Sequence, residues 1–392
     1  MSSRPPTAAN SAQVQEGDEA KAPHPLSPVA EAPLTPLSTT PRNAGLDCLK
    51  CLAAFLVVCI HAPFSGTFGI YFSTITRCAV PIFFMISGYY FSFGDHARTR
   101  RQIIKLLALI FEANLIYFPW MLLFSGIKGD GISAYLERIF SSTSILKFLF
   151  LNESPFGFHL WYLSAILYVL LLMKLLERLH IEKILSFLVP ALLIGNLVLG
   201  TYAPLLFGRE FSTLLTRNFL FFGLPHFYLG HLCQLKKEKF SEFGNHVYLL
   251  LIIFFIFTGI MERYLLASLD QLNPFREAYL SSTLLAGALL LFFAKNTELG
   301  KETIFQKTGQ KFSMHIYILH PMIKSVIKYA LIFAGAGYFY ELLAPVIVFV
   351  VTALFFICKE KMAIKVDFGF STKIFDRLLK KIESRRLVAR GE

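Results

Sequence analysis

Leu46-Asp47-Cys48-Leu49-Lys50-Cys51-Leu52-Ala53-Ala54-Phe55-Leu56-Val57-Val58-Cys59-Ile60-His61 reads as an apolar helix with a charge pair near one end and an imidazole at the other. Extended to 46–64, it approaches the ~20 residues that cross a bilayer. Nine further segments have similar character: 76–94, 103–125, 159–176, 182–200, 214–233, 246–266, 279–294, 312–334 and 341–358. The composition agrees, with 55% apolar and 16% charged residues in 392, 41 Phe and a mean hydropathy of +0.56. Ordinary globular chains carry about 25% charged residues, so water-soluble domains are excluded as the main content. The net charge of +12 does not point to nucleic acid, because the cations sit between apolar segments.

Those cations alternate in a way that sets topology. Arg98, Arg100 and Arg101 follow the second segment, Lys174, Arg178 and Lys183 the fourth, and Lys236, Lys237 and Lys239 the sixth. Lys295, Lys301, Lys307 and Lys311 lie between the eighth and ninth. With ten spans these groups share one face, which the positive-inside rule makes cytoplasmic. The expected fold is an all-α integral membrane protein, about ten transmembrane helices around a central cavity with both termini cytoplasmic. Residues 1–45 read as a Pro-rich disordered tail, 46–358 as the membrane domain and 359–392 as a basic cytoplasmic tail.

Ionisable groups at membrane depth are functional suspects because burying them is costly. Lys50 and His61 are eleven residues apart, so they share a helix face about 16 Å apart along the axis. Asp47, three residues before Lys50, can pair with it. A substrate entering from the cytoplasm would suit this pair, and so would a snorkelling lysine and a packed histidine. Glu112 in the third span needs a partner. Tyr317 and His320, in Ser313-Met314-His315-Ile316-Tyr317-Ile318-Leu319-His320-Pro321, share one face. His159-Leu160-Trp161-Tyr162-Leu163 opens the fourth span in the manner of an aromatic belt. Ser87-Gly88 invites close approach of another helix, and Arg98, Arg100 and Arg101 can hold phosphate or merely anchor topology. Cys48-x-x-Cys51 has redox spacing without a redox context. No metal-ligand set with credible spacing is present.

Four blocks together resemble the acyltransferase type 3 family of membrane proteins: Leu46-Asp47 through His61, Val80-Pro81-Ile82-Phe83-Phe84-Met85-Ile86-Ser87-Gly88-Tyr89, His159 through Leu163, and Ser313 through Pro321. The resemblance covers about 45–358. It implies a bacterial inner-membrane O-acyltransferase that moves an acyl group, acetyl or succinyl, from cytoplasmic acyl-CoA to a hydroxyl of a cell-envelope or secreted glycan. It implies acyl-CoA as co-substrate with no bound cofactor. The partners would be membrane lipid and a glycan or lipid-linked glycan, with no nucleic acid. His61 matches the family histidine, and Lys50 stands where the family has arginine, keeping the charge but not the planar fork. Catalytic roles then fall to His61, Lys50, Glu112, Tyr317 and His320, and acyl-CoA binding to Lys50, Arg98, Arg100 and Arg101. Asp47, Ser87, Gly88, His159, Trp161 and Ser313 would be structural or acceptor-orienting. A transporter or flippase of a lipid-linked glycan or small anion, or a scaffold of a glycan assembly complex, are the alternatives.

Overall fold

Asn43 starts the bundle. In the computed structural model, which describes residues 42–128, 131–269, 276–362 and 369–389, its side chain accepts a hydrogen bond from the Leu46 N–H at 2.9 Å. It also donates to the Ala294 carbonyl at 2.8 Å. The cap satisfies one orphan donor of the first turn and ties it to a helix 251 residues away. The tail expected over 1–45 lies outside the described residues as far as 41, and the first helix begins at Ala44 rather than 46.

The described residues are helical throughout, with no strand among them. In order they form α1 (Ala44–His61), α2 (Gly66–Thr76), α3 (Ala79–Tyr89), α4 (His96–Lys128), α5 (Ile132–Ile139), α6 (Ser142–Leu151), α7 (Trp161–Arg178), α8 (Leu185–Leu199) and α9 (Ala203–Phe207). There follow α10 (Thr213–Thr216), α11 (Leu224–Leu235), α12 (Lys237–Ser241), α13 (Asn245–Leu269), α14 (Leu280–Lys295), α15 (Ile304–Lys311), α16 (Ser313–Phe333), α17 (Gly337–Lys361) and α18 (Thr372–Ala389).

Among the described residues eight stretches are long and apolar enough to cross a membrane. All ten expected segments are helical, but two fall short of that standard. α14 has 16 residues, and the segment expected at 214–233 is broken between α10 and α11. Asn218 makes the break: its backbone is extended, its side chain accepts from the N–H groups of Leu220 and Phe221, and a π turn over Phe219–Gly223 follows. Local π geometry of this kind recurs at functional sites. The second expected segment also differs, since helix begins at Gly66, ten residues before 76, and is interrupted at Arg77 and Cys78.

Burial sorts the helices into an inner and an outer group. The span around α7 has 72% of its apolar window buried and α1 67%, against 17% for α13. Phe254, Phe257 and Leu250 of α13 point outward, as they should where lipid replaces water as the neighbour. The inner helices approach closely at glycines: a Cβ on Gly88 of α3 would lie 1.8 Å from the Phe227 carbonyl of α11, and one on Gly230 of α11 would lie 1.9 Å from that of Met85. Gly309 of α15 meets the Asp47 carbonyl of α1 in the same way.

The C-terminal region expected as a tail contains α18, which packs along α4. Arg100 pairs with Asp376 at 2.7 Å, and Phe111 meets Phe375 edge-on. The Arg100 and Lys380 cations beside Asp376 hold its carboxyl below the ordinary value.

Candidate active site

Several helix ends converge around one cavity of about 250 Å3. His61 is the last residue of α1, Arg77 sits at the α2–α3 interruption, and Phe158 and His159 form a 3-10 turn leading into Trp161 and Tyr162 of α7. Arg217 precedes the Asn218 break, Glu277 lies just before α14, and Tyr317 projects from α16. Breaks and ends are where a helix can turn a polar side chain into a cavity without lengthening it.

Three imidazoles cluster here, of which His61 and His159 line the cavity. The rings of His61 and His320 are 5.0 Å apart, His159 and His320 5.7 Å, and His61 and His159 6.1 Å. Carbonyl oxygens only accept, so the hydrogen bonds fix two tautomers. His320 donates from Nδ1 to the carbonyls of Ile316 (3.0 Å) and Tyr317 (2.9 Å), leaving Nε2 as a lone pair. Pro321 prepares this: it has no N–H, so the Tyr317 carbonyl four residues earlier lacks its helical donor and takes the imidazole instead. The His320 Nε2 is buried without a hydrogen-bond partner. His159 donates from Nε2 to Ile318 at 3.0 Å, leaving Nδ1 as its lone pair, and the Tyr117 hydroxyl donates to the same carbonyl at 2.7 Å. The Tyr317 hydroxyl donates to the His159 carbonyl. His61 is half-buried, and among the described residues no hydrogen bond holds its ring. Its own carbonyl receives the Lys324 ammonium, which caps the end of α1.

His61, His159, Trp161, Tyr317 and His320 are therefore brought together. Ser87 borders the site indirectly, donating to the Phe83 carbonyl at 2.8 Å and lying against the Tyr162 hydroxyl. Gly88 serves the α3–α11 contact, and Ser313 donates to the Gly309 carbonyl at 2.8 Å, away from the cavity lining.

Lys50 lies apart. It pairs with Asp47 at 3.0 Å, and its ammonium and the Arg98 guanidinium stand 5.6 and 5.8 Å from the Tyr90 ring centre. The cavity lining on α1 starts at Val57, seven residues on, so about 10 Å of helix separates the two. Arg101 is exposed, and Arg100 is engaged by Asp376. Glu112 is fully buried but not in the cavity lining. One carboxylate oxygen accepts from the Ser371 N–H (2.7 Å) and hydroxyl (2.6 Å), the other from the Gly369 N–H. Its partners correct the catalytic assignment: Glu112 fastens the segment leading into α18. Glu112→Ala is expected to release that segment, losing charged hydrogen bonds of about 1.5–3 kcal/mol each. Faster proteolysis after residue 362, with the rest of the bundle still protected, would register it.

Arg77, Arg217, Glu277 and Lys324 were not singled out by sequence, although Arg77, Arg217 and Lys324 lie in or beside expected spans, where a charge is a signal in itself. All six cysteines are free thiols. Among the described residues no three His, Cys, Asp or Glu side chains are grouped to hold a metal ion.

Comparison with known proteins decides the class: the pattern describing an acyltransferase domain matches residues 43–359. The chain belongs to the acyltransferase type 3 family. The matched region takes in every helix from α1 through most of α17. Among curated proteins it is similar to an amino-acid racemase of Enterococcus faecalis, 31% identical over 152 residues, covering 35% of this chain and 20% of that protein. It is also similar to a serine/alanine racemase of Enterococcus gallinarum, 30% identical over 222 residues, covering 51% of this chain and 30% of that one. The match thus spans less than a third of these curated relatives. No solved structure matches the chain.

Proposed function

We propose that the protein is an O-acyltransferase of the bacterial inner membrane, moving acetyl or succinyl from cytoplasmic acyl-CoA to a hydroxyl of a cell-envelope or secreted glycan. The observation that carries this reading is the imidazole cluster of His61, His159 and His320, two of which line a cavity shared with charged and aromatic side chains. In this reading α14 and the broken α10–α11 segment complete ten crossings, and both termini are cytoplasmic.

His320 Nε2 is a buried, unpartnered lone pair whose ring centre lies 5.0 Å from that of His61, so a turn of the His61 ring brings its N–H within reach of that acceptor. The other His61 nitrogen is then a base facing the cavity. It takes the proton of the acceptor hydroxyl as that oxygen attacks the thioester carbonyl. The C–S bond breaks, the new C–O bond forms, and the proton passes from His61 to the departing CoA thiolate. General-base assistance of this kind contributes typically about 10²–10⁴-fold. The donor enters from the opposite end, its phosphates met by Lys50, Arg98 and Arg101, and its extended arm crosses the ~16 Å between Lys50 and His61. Arg100 joins that group only when α18 gives it up.

Labelled acetyl transfer from acetyl-CoA to envelope glycan by the purified protein tests the activity. On the donor side, Lys50→Ala is expected to raise KM for acyl-CoA roughly tenfold, as loss of one charge-assisted contact predicts, with little change in KM for the acceptor. An unchanged donor KM would remove Lys50 from the donor site. The relatives' names concern amino-acid racemisation. Since the match is a minor part of each, they bear on this chain only as a pointer to amino-acid chemistry in the acceptor.

A further inference from the structure

The mouth of the cavity holds a charge arrangement that acyl transfer to a neutral sugar does not need. Arg217 is 7% exposed and Arg77 14%, and each guanidinium lies 3.6 Å from a different oxygen of Glu277. That is ion-pair distance but too long for a hydrogen bond. Among the described residues neither arginine side chain donates a hydrogen bond, and the buried Nε–H of Arg217 is without a partner. The Arg217 guanidinium carbon sits 3.7 Å from the Phe158 ring centre and 5.7 Å from that of Trp161, which fixes the plane of its fork. Among the described residues Glu277 is the carboxylate within ion-pair distance of the two guanidiniums, and Glu153 acts on Arg217 from further off. Burying guanidinium donors unpaired is costly, and a planar fork is the group that takes a carboxylate by two parallel hydrogen bonds.

We infer that Arg77 and Arg217 form a carboxylate-binding subsite, so that the acceptor is a hydroxyl compound carrying a carboxylate, held with its hydroxyl toward His61. This rests on the acyl-transfer reading for the word acceptor, but the binding does not. Glu277, 40% exposed, holds the two cations in place and yields to the incoming anion. The cavity of about 250 Å3 admits one sugar-sized or amino-acid-sized unit. Such a carboxylate belongs equally to an acidic sugar and to a hydroxy amino acid, the latter being the chemistry in the relatives' names.

The chain has two tryptophans, and Trp161 lies beside Arg217. In Trp120→Phe protein Trp161 is therefore the sole tryptophan reporter, and its fluorescence can be titrated with matched probes in the absence of acyl-CoA: glucuronate against glucose, and L-serine against L-serinamide. The expected result is saturable binding of the carboxylate in at least one pair, about 10–100-fold tighter than its neutral partner, with the responding pair naming the source. Arg217→Gln and Arg77→Gln should each abolish that preference. Should one variant fail to fold, the other still decides. Equal binding within both pairs, no saturable binding by either carboxylate, or a preference that survives substitution would overturn the subsite. Carboxylate binding without acyl transfer would instead retain the subsite and remove the transferase reading.

Discussion

His61→Ala is expected to lower acyl transfer by about 10²–10⁴-fold while the protein still inserts and folds, because the ring is half-buried on a cavity wall and no hydrogen bond of the fold depends on it. His320→Phe keeps a ring in place but removes the lone pair that, on the proposed mechanism, orients His61. It should reduce kcat with KM for acyl-CoA unchanged, the pattern of an interaction made in the transition state. The double variant should be scarcely worse than His61→Ala alone, since two residues acting as a unit are not additive. Additive losses would mean that the two imidazoles act separately.

Gly88→Val should have the largest effect on folding. The backbone of α11 occupies the space a side chain would need, at 1.8 Å from the Phe227 carbonyl, and Gly230 faces Met85 reciprocally at 1.9 Å. No rotamer relieves a clash with backbone, so α3 and α11 must separate. We expect a cost of about 3 kcal/mol or more, at or beyond the upper end of overpacking penalties. Gly287 in α14 is the control, because a Cβ there meets nothing within 4 Å. Gly287→Ala should be neutral or slightly stabilising, as alanine is the better helix former. Thermal midpoints in detergent separate the two, and similar midpoints would contradict the close-packed inner interface.

The helices were legible in sequence because bilayer thickness leaves a mark twenty residues long. Their interruptions were not. Polar residues, Ser73, Thr74 and Thr76 before Arg77 and Ser212, Thr213 and Thr216 before Asn218, read as the start of a span at each place, whereas helix lies on both sides of breaks that aim two arginines into the cavity. The imidazoles were legible through their motifs, and Pro321 shows why one of them works: the missing N–H that orients His320 can be read from the dipeptide alone. Glu112 was misread for a different reason. Its partners Gly369 and Ser371 lie more than 250 residues away, and no local pattern announces a contact of that range. Arg100 and Asp376 repeat the case, and the first was assigned to the donor site because its partner was invisible.

On the proposed reading this cavity transfers an acyl group rather than passing a solute. Purified protein in liposomes, given acetyl-labelled acetyl-CoA and cell-envelope glycan, tests it most directly by counting free thiol released against label bound to glycan. Equal amounts of thiol and bound label, both lost in His61→Ala, is the predicted result. Glycan or a small anion crossing the liposome unlabelled, with acetyl-CoA intact, would contradict it.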